Sequence, residues 1–183
     1  HEESARLTRL LDSTLDLKLL ERGEAPVALA PLDPEATLDA SLRVCQGFAA
    51  EARVRIERGE RLSGVVVRAD ADRLSQVFIN LVSNAIKYNT AAEPHVRVAS
   101  RVRDGVYEVL VEDNGPGILP EEHERIFSKF MRGWAHVQTW HKGASLGLTI
   151  SRQIMHRLGG SLTLEPGGPG ACFRVALPVD GAS

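Results

Sequence analysis

The sequence is poor in the features that mark several classes of protein. Among its 183 residues are two cysteines, Cys45 and Cys172, in no metal-binding or redox spacing, so we expect two reduced structural thiols. No apolar run approaches the roughly 20 residues of a membrane-spanning helix, and no signal peptide is recognisable. The formal net charge of -2 predicts no polyanionic partner such as nucleic acid, but it does not exclude a single nucleotide.

What the sequence does contain is typical of a folded domain with a hydrophobic core. It is 43% apolar and 25% charged, which is close to the average of soluble globular proteins. Because the chain opens at His1 without a methionine, we expect it to be a piece of a longer protein.

The first third of the chain divides into a helix, a linker and a second helix. Residues 2–21 carry leucines at four-residue spacing, which predicts a long amphipathic helix with a partner helix. Glycine and two prolines in residues 22–31 indicate a linker. Asp33 has the features of an N-cap, and the helix that follows to about residue 52 is predicted to bury Leu38, Leu42, Cys45 and Phe48.

The remaining pattern mixes strands and helices, with the strands clustered in neighbouring pairs. We predict strands at 54–57, 64–70, 95–102, 107–113, 161–165 and 172–179, and helices at 70–88, 120–130 and 146–158. Asp104-Gly105 is a hairpin turn signal between two of these strands. This order predicts an α+β fold, a two-layer α/β sandwich with a mixed sheet.

The helix at 70–88 is apolar almost all round except for one narrow polar stripe. Its stripe consists of Arg73, Gln76, Asn80, Asn84 and Lys87. A buried polar group without a partner costs roughly 1–3 kcal/mol, so the stripe should face a polar network or a ligand cavity. An amide oxygen is a suitable ligand for Mg²⁺, and Lys87 would reach phosphates bound beside it. A surface stripe with satisfied amides is the alternative.

The segment VEDNGPGI, residues 111–118, ends a strand with an acid and two glycines. Taken alone, Asp-Asn-Gly indicates only a turn. Gly115 and Gly117 leave the backbone without side chains at two places, as a close approach to a flat ligand requires. The carboxylate of Asp113 accepts hydrogen bonds and donates none, so it suits the amino group of adenine and would reject the carbonyl of guanine.

A third segment, KGASLGLTISRQI at 142–154, places small residues before a helix. Free N–H groups and the partial positive charge of a helix N-terminus bind phosphate. Ser145 is a candidate cap and Lys142 adds a charge. No G-x-x-x-x-G-K-[ST] motif is present, so this is not a P-loop.

Together these segments resemble the ATP-binding domain of two-component sensor histidine kinases, of the GHKL (Bergerat-fold) superfamily. In chain order, DADRLSQVFINLVSNAIKYN, VEDNGPGI, RIFSKF and KGASLGL resemble the N box, the first glycine box, the phenylalanine box and the second glycine box. The resemblance covers about residues 33–179. It implies a division into 1–22, the second helix of a dimerisation hairpin; 23–32, a linker; and 33–183, the ATP-binding domain.

The resemblance also implies a site for ATP and Mg²⁺. Asn84 would ligate the metal, Asn80 and Lys87 would act near the phosphates, and Asp113 would bind the adenine amine. Residues 119–142 would form a lid anchored by Phe127 and Phe130. The remaining implied nucleotide contacts are Tyr88, Gly115, Gly117, Ile118, Arg132, Lys142, Gly143, Ser145, Leu146, Gly147 and Leu148.

The function implied is transfer of the γ-phosphate to a histidine on an upstream helix, for relay to a response regulator. The implied setting is a homodimer joined through the N-terminal helix, in the cytoplasm or as the cytoplasmic part of a membrane-bound sensor. The histidine motif is absent, since His1-Glu2 continues as Glu3-Ser4-Ala5, so this chain should not label itself.

Three alternatives stay open. Hydrolysing ATPases of the same fold carry a glutamate where Asn80 stands, which favours transfer over hydrolysis. Ser145, where the family has glycine, and the missing histidine favour a nucleotide-sensing module without kinase activity. An anti-sigma-factor kinase is disfavoured by the leucine-rich helix.

Overall fold

The computed structural model describes residues 15, 18–128 and 144–181, with the backbone alone at 144 and 145. In chain order the elements are β1 (Ala30–Leu32), α1 (Pro34–Ala52), β2 (Arg55–Arg58), β3 (Val67–Ala69), α2 (Ala71–Lys87), β4 (His95–Arg103), β5 (Val106–Asp113), two 3₁₀ turns (Pro120–Glu122 and Arg125–Phe127), α3 (Ala144–Arg157), β6 (Ser161–Glu165) and β7 (Cys172–Pro178). None of the helices in these described ranges has the length and hydropathy to cross a bilayer.

The predicted N-terminal helix falls largely outside the described residues, although Leu15 and 18–21 are helical. The segment that follows is held to the domain at two points. The Ala28 N–H donates to Asp70 Oδ2 at 2.9 Å, and the Arg157 guanidinium donates to the carbonyl oxygens of Gly23 and Ala25. Residues 30–32, predicted as the end of a linker, pair as β1 with β3 in an antiparallel ribbon.

Helix α1 begins where the sequence predicts. Asp33 caps it by accepting hydrogen bonds from the Glu35 and Ala36 N–H groups, and Pro34 occupies its first turn. The prediction that Phe48 is buried is wrong, because its side chain is 49% exposed. The buried face of the helix reaches Ala49 after Cys45, so Phe48, one residue earlier, points away from the core.

Helix α2 packs against both of the other helices. Asp70 Oδ1 accepts from the N–H groups of Asp72 and Arg73, which fixes the first turn. Leu74, Phe78 and Leu81 are fully buried, as the apolar pattern predicts. The helix ends at Lys87, and the C-cap residue Tyr88 still donates its N–H to the Asn84 carbonyl.

The sheet has five strands in the order β2-β4-β5-β7-β6. β2 and β4 are parallel and the other pairs are antiparallel, so the sheet is mixed, as predicted. The β4–β5 hairpin turns at Asp104 and Gly105, whose positive φ angles of 52° and 73° are those of a two-residue type I′ turn.

One face of the sheet is covered by the helices. Alternate residues of β4, β5 and β7, such as Val98, Val109 and Val175, are fully buried against them. The opposite face carries charged residues among small and apolar ones, and there Glu108 pairs with Arg101 and Arg174. The molecule is therefore the two-layer sandwich that the sequence predicts.

The predicted helix at 120–130 is wrong in its described part. The chain forms two separate 3₁₀ turns, closed by bonds from His123 N to the Pro120 carbonyl and from Ser128 N to the Arg125 carbonyl. Residues 121–125 are all polar or charged, so the first turns of an α-helix there would bury no side chain in the core.

Candidate functional site

A cleft opens where the end of α2 faces one end of the sheet. Three segments line it: the last turns of α2, the loop after β5, and the start of β7. The lining residues are Asn84, Ala85, Tyr88, Asp113, Pro116, Gly117, Ala171 and Phe173. The cleft therefore brings together residues from two of the three motifs identified in the sequence.

The β-ladder positions two of these segments. β5 and β7 are antiparallel neighbours, with Glu112 opposite Cys172. Beyond that pair the Asp113 N–H donates to the Ala171 carbonyl at 3.0 Å, so the loop after β5 and the start of β7 share one edge of the cleft. Helix α2 lies across this end of the sheet and supplies the opposite side.

The Asp113 carboxylate is held by one oxygen only. Oδ1 accepts from the Gly115 N–H at 2.9 Å and from the Ala171 N–H at 3.3 Å. Oδ2 accepts no hydrogen bond from any described residue. Burial raises the pKa of Asp113, against the two N–H groups that favour its charge, and nearby Glu112 adds to the rise. The cleft therefore presents a desolvated acceptor oxygen to a ligand.

Glycine is required beside this carboxylate. A Cβ on Gly170 would overlap both the carbonyl oxygen and the carboxylate of Asp113. Gly117 has φ +72°, which disfavours any other residue, and a Cβ there would lie 3.4 Å from the Pro169 carbonyl oxygen. The glycines thus allow the β5 loop and the turn before β7 to meet.

Asn84 presents an unsatisfied amide to the cleft. Its side chain is only 8% exposed, and Nδ2 has no hydrogen-bond partner among the described residues. A buried polar atom left in this way is costly unless a ligand satisfies it. Because the two ends of an amide are interchangeable by rotation, either its oxygen or its nitrogen can face a ligand.

The polar stripe of α2 is not one uniform surface. Arg73 donates to Gln76 at 3.1 Å, and Asn80 Nδ2 donates to Ser151 Oγ of α3 at 2.9 Å. A Cβ on Gly147 would overlap the Asn80 side-chain oxygen, so the glycine admits this contact between the helices. Of the two asparagines, Asn84 lines the cleft and Asn80 joins α2 to α3.

Lys87 and Tyr88 follow Asn84 at the end of α2. Tyr88 is one of the residues that line the cleft. Lys87 is exposed, and its ammonium lies 5.3 Å from the centre of the Tyr88 ring. The lysine is thus outside the lining of the cleft but in contact with one of its lining residues.

Several predicted contact residues serve as anchors in the described structure. Leu146 and Leu148 are buried in the core, and Ile118 packs against it. Phe127 is in edge-on contact with Phe173 at 6.2 Å between ring centres, and the Arg152 guanidinium lies over its other side. Phe127 therefore fixes the segment before residue 129 to a wall of the cleft.

Some predictions cannot be placed. Phe130, Arg132, Lys142 and Gly143 lie outside the described residues, as does the side chain of Ser145. Ser145 itself is in the first turn of α3.

The cleft also contains residues that the sequence reasoning missed. Ala85, Pro116, Ala171 and Phe173 line it, and Gly170 supports it. Pro116 lies inside a recognised motif and Ala85 next to Asn84, so both were within reach of the sequence. The segment 170–173 carries no local signal beyond a glycine-rich turn, and only its pairing with β5 identifies it.

The two cysteines take no part in the site. Both are free, and burial raises the pKa of Cys45 and Cys172 to about 11. Both thiols are therefore protonated at neutral pH. Among the described residues no cluster of histidine, cysteine and acidic side chains is suited to hold a metal ion.

Comparison with known proteins places the site in a family context. The family model described as histidine kinase-, DNA gyrase B- and HSP90-like ATPase matches residues 69–181. The circadian input-output histidine kinase CikA of Synechococcus elongatus is 31% identical over 97% of this chain, and the histidine protein kinase DivJ of Caulobacter vibrioides is 32% identical over 98%. The chain spans 24% and 30% of the lengths of these relatives.

Solved structures show the same fold. Full-length ShkA in complex with AMPPNP superposes with a TM-score of 0.80 at 28% identity, covering 97% of this chain and 37% of that one. The nucleotide-free catalytic domain of the histidine kinase ThkA gives a TM-score of 0.68 at 27% identity, covering 82% of this chain and 95% of that one.

Proposed function

Because the chain belongs to the family of histidine kinase-, DNA gyrase B- and HSP90-like ATPases, we propose that it is the ATP-binding catalytic part of a sensor histidine kinase. One observation carries the proposal. A single cleft holds the half-buried Asp113 carboxylate with one open oxygen and, on its other side, the buried amide of Asn84. The Asp113 carboxylate can accept a hydrogen bond from a base, and the Asn84 amide can offer its oxygen to a metal ion.

In this proposal Asp113 Oδ2 accepts a hydrogen bond from the adenine amino group. The base lies between Tyr88 and Ala85 on one side and Gly117 and Ala171 on the other, where small residues and backbone give room for a flat ring. Guanine would set its carbonyl oxygen against the carboxylate, so the site should discriminate against GTP.

The metal-binding residue we propose is Asn84. Mg²⁺ binds oxygen ligands and keeps several waters and nucleotide phosphates in its shell, so one amide oxygen fits as the protein's share. When bound, the ion neutralises developing charge on the phosphates. The buried and unsatisfied amide supports this role, and the lack of an acidic cluster in the described residues means that the nucleotide must bring most of the ligands.

Lys87 and Asn80 complete the proposed catalytic residues. The exposed Lys87 side chain, in contact with the ring of Tyr88, would reach the phosphates. Asn80 has no carboxylate to accept a proton from water, and its Nδ2 is already committed to Ser151. This supports transfer of phosphate to another protein group over hydrolysis.

The reaction we propose is in-line transfer. An imidazole nitrogen of an upstream helix attacks the γ-phosphorus, a P–N bond forms as the bond to the ADP oxygen breaks, and the imidazole loses its proton to water. We assign residues 1–22 to a dimerisation helix, 23–32 to a linker and 33–183 to the catalytic domain. The full protein would be a cytoplasmic or membrane-attached homodimer that passes the phosphate to a response regulator.

The test combines this chain with a separate hairpin that carries the upstream histidine. With Mg²⁺ and γ-labelled ATP, the hairpin should acquire acid-labile label, whereas this chain alone should acquire none. Omitting Mg²⁺ or replacing ATP by GTP should reduce labelling by about 100-fold or more, because both changes remove a charged or hydrogen-bonded contact. ATP binding without any phosphotransfer would instead identify a nucleotide-sensing module.

A further inference from the structure

The two walls of the cleft are joined by a pair of asparagine side chains outside the lining. Asn89 follows the end of α2, and Asn114 follows Asp113 at the end of β5. Asn89 Nδ2 donates to Asn114 Oδ1 at 2.9 Å. The residue next to Tyr88 is therefore bonded directly to the residue next to Asp113.

Backbone groups fix both amides in this orientation. Asn89 Oδ1 accepts from the Ala91 N–H at 3.1 Å, and its Nδ2 also donates to the His95 carbonyl at 3.1 Å. Asn114 Oδ1 accepts from the His95 N–H at 2.9 Å, and its Nδ2 donates to the Glu93 carbonyl at 2.9 Å. A flipped amide would face donor with donor, so the assignment is unambiguous.

Asn114 takes the place of a strand residue in the ladder. The last backbone pair of the β4–β5 hairpin is Val96 with Asp113. One step further, the His95 N–H bonds to the Asn114 side chain. The backbone at Asn114 is thereby released from the sheet and turns into the Gly115–Gly117 loop, while the side chain keeps the loop attached to β4.

Gly115 allows the pair to come together. A Cβ there would lie 3.3 Å from Asn89 Cα and 3.0 Å from Asp113 Oδ1, tighter than ordinary side-chain contacts. The same residue donates its N–H to Asp113 Oδ1. The loop is thus packed between the Asn89 backbone and the carboxylate that faces the cleft.

We propose that Asn89 and Asn114 are positioning residues that hold the α2 wall of the nucleotide cleft at a fixed distance from the Asp113 wall. This inference rests on the proposed function, since it concerns the same site. Neither side chain is among those lining the cleft. They act on the nucleotide indirectly, by positioning Tyr88 and Asn84 on one side of the cleft and Asp113 on the other. Because both walls are held in place before the nucleotide binds, binding does not have to pay the entropy of ordering them.

The test is a double-mutant cycle on the whole chain with Asn89→Ala, Asn114→Ala and the double variant. Equilibrium dissociation constants for ATP and GTP are measured at a temperature where circular dichroism shows every variant folded. Each single variant should bind ATP about tenfold more weakly. The double variant should bind ATP more weakly than either single one, but by less than the product of the two effects, because both changes break the Asn89–Asn114 bond while each also removes bonds of its own. The preference for ATP over GTP should fall in parallel.

Two further variants separate positioning from general stability. Ser75→Ala breaks the 2.9 Å hydroxyl pair with Ser41 between α1 and α2, away from the cleft, and should lower stability while leaving ATP affinity and base preference unchanged. Asn89→Asp keeps the acceptor for Ala91 N–H but sets a carboxylate oxygen against Asn114 Oδ1, and should bind ATP at least as weakly as Asn89→Ala.

The outcomes are distinguishable. If the unaltered chain binds ATP but the Asn89 and Asn114 variants keep its affinity and base preference, or if their effects simply multiply, the positioning pair is refuted. If the unaltered chain binds neither nucleotide, the proposed function itself fails.

Discussion

Two carboxylates lie at opposite ends of the inner face of β5, and their hydrogen-bonding environments are opposite. At one end Glu35 is fully buried and saturated: it accepts from the Tyr107 hydroxyl at 2.6 Å, the Leu62 N–H at 2.8 Å and the Arg58 guanidinium at 2.7 Å. At the other end Asp113 has two N–H donors on one oxygen and no cation among the described residues.

The pKa values follow this difference. Burial alone would raise the pKa of Glu35, but its hydrogen bonds and the charge of Arg58 hold it below the ordinary value. Burial raises the pKa of Asp113, and the bonds from the protein do not cancel that rise. A buried acid that the protein satisfies completely stabilises the fold, whereas one left with an open oxygen is available to a ligand.

The largest effect is expected on the free energy of unfolding when Glu35 is replaced. Glu35→Ala leaves the Tyr107 hydroxyl, the Leu62 N–H and a largely buried guanidinium without their main acceptor, and should lower the free energy of unfolding by about 3 kcal/mol. Denaturant titration measures the loss. The ATP affinity of the folded fraction should be unchanged. A large loss of ATP affinity would contradict the assignment of Glu35 to the fold and of Asp113 to the ligand.

At Asp113 we expect the reverse: substitution should weaken ATP binding without lowering stability. In Asp113→Asn the amide oxygen must accept from Gly115 and Ala171, so its NH₂ group faces the adenine amine, donor against donor. ATP affinity should fall about 100-fold, measured by calorimetry, and the preference over GTP should narrow. Stability at neutral pH should be slightly higher, because a desolvated charge is removed. Unaltered ATP affinity would exclude Asp113 as the base-binding group.

The smallest effect is the pH dependence of stability, which should have opposite signs at the two ends. The folded pKa of Glu35 lies below its ordinary 4.5, so its stabilisation is complete above that pH and is lost as the pH falls through the folded pKa. The folded pKa of Asp113 lies above its ordinary 3.8, so ionisation costs stability above the folded pKa and nothing below 3.8.

The test is to measure the free energy of unfolding from neutral pH into the acid range for the unaltered chain, Glu35→Gln and Asp113→Asn. It gives the sign of the contribution that each ionised carboxylate makes to stability. The unaltered chain should be more stable than Glu35→Gln at neutral pH and less stable than Asp113→Asn, and both differences should shrink on acidification. If both variants were less stable than the unaltered chain at neutral pH, both carboxylates would be structural.

The elements that the sequence predicts well are those with local signals. Asp33 and Asp70 sit at helix starts because their side chains bond to N–H groups two and three residues on, and Asp104-Gly105 closes a hairpin through its own backbone angles. Asp113 and Asn84, which stand in the family motifs, both line the cleft. Phe48 was misplaced because a helix pattern with several apolar residues does not reveal which neighbour in the sequence faces the core.

The parts that the sequence does not predict depend on distant pairing. Gly170, Ala171 and Phe173 enter the site only because β7 pairs with β5, and no local pattern encodes that register. Asn80 and Asn84 look equivalent in the sequence, and only the approach of α3 assigns one to Ser151 and the other to the cleft. The Asn89–Asn114 bond is hidden for the same reason.

The mixed sheet also implies an order of events when the chain folds. The β4–β5 hairpin closes over a two-residue turn, so it can form within microseconds, whereas β2 must find β4 in parallel across all of β3 and α2. We therefore expect the strand that ends in Asp113 to be among the first native structure and the β2 edge, with its Arg58–Glu35 pair, among the last. Amide hydrogen exchange during refolding should protect β5 before β2.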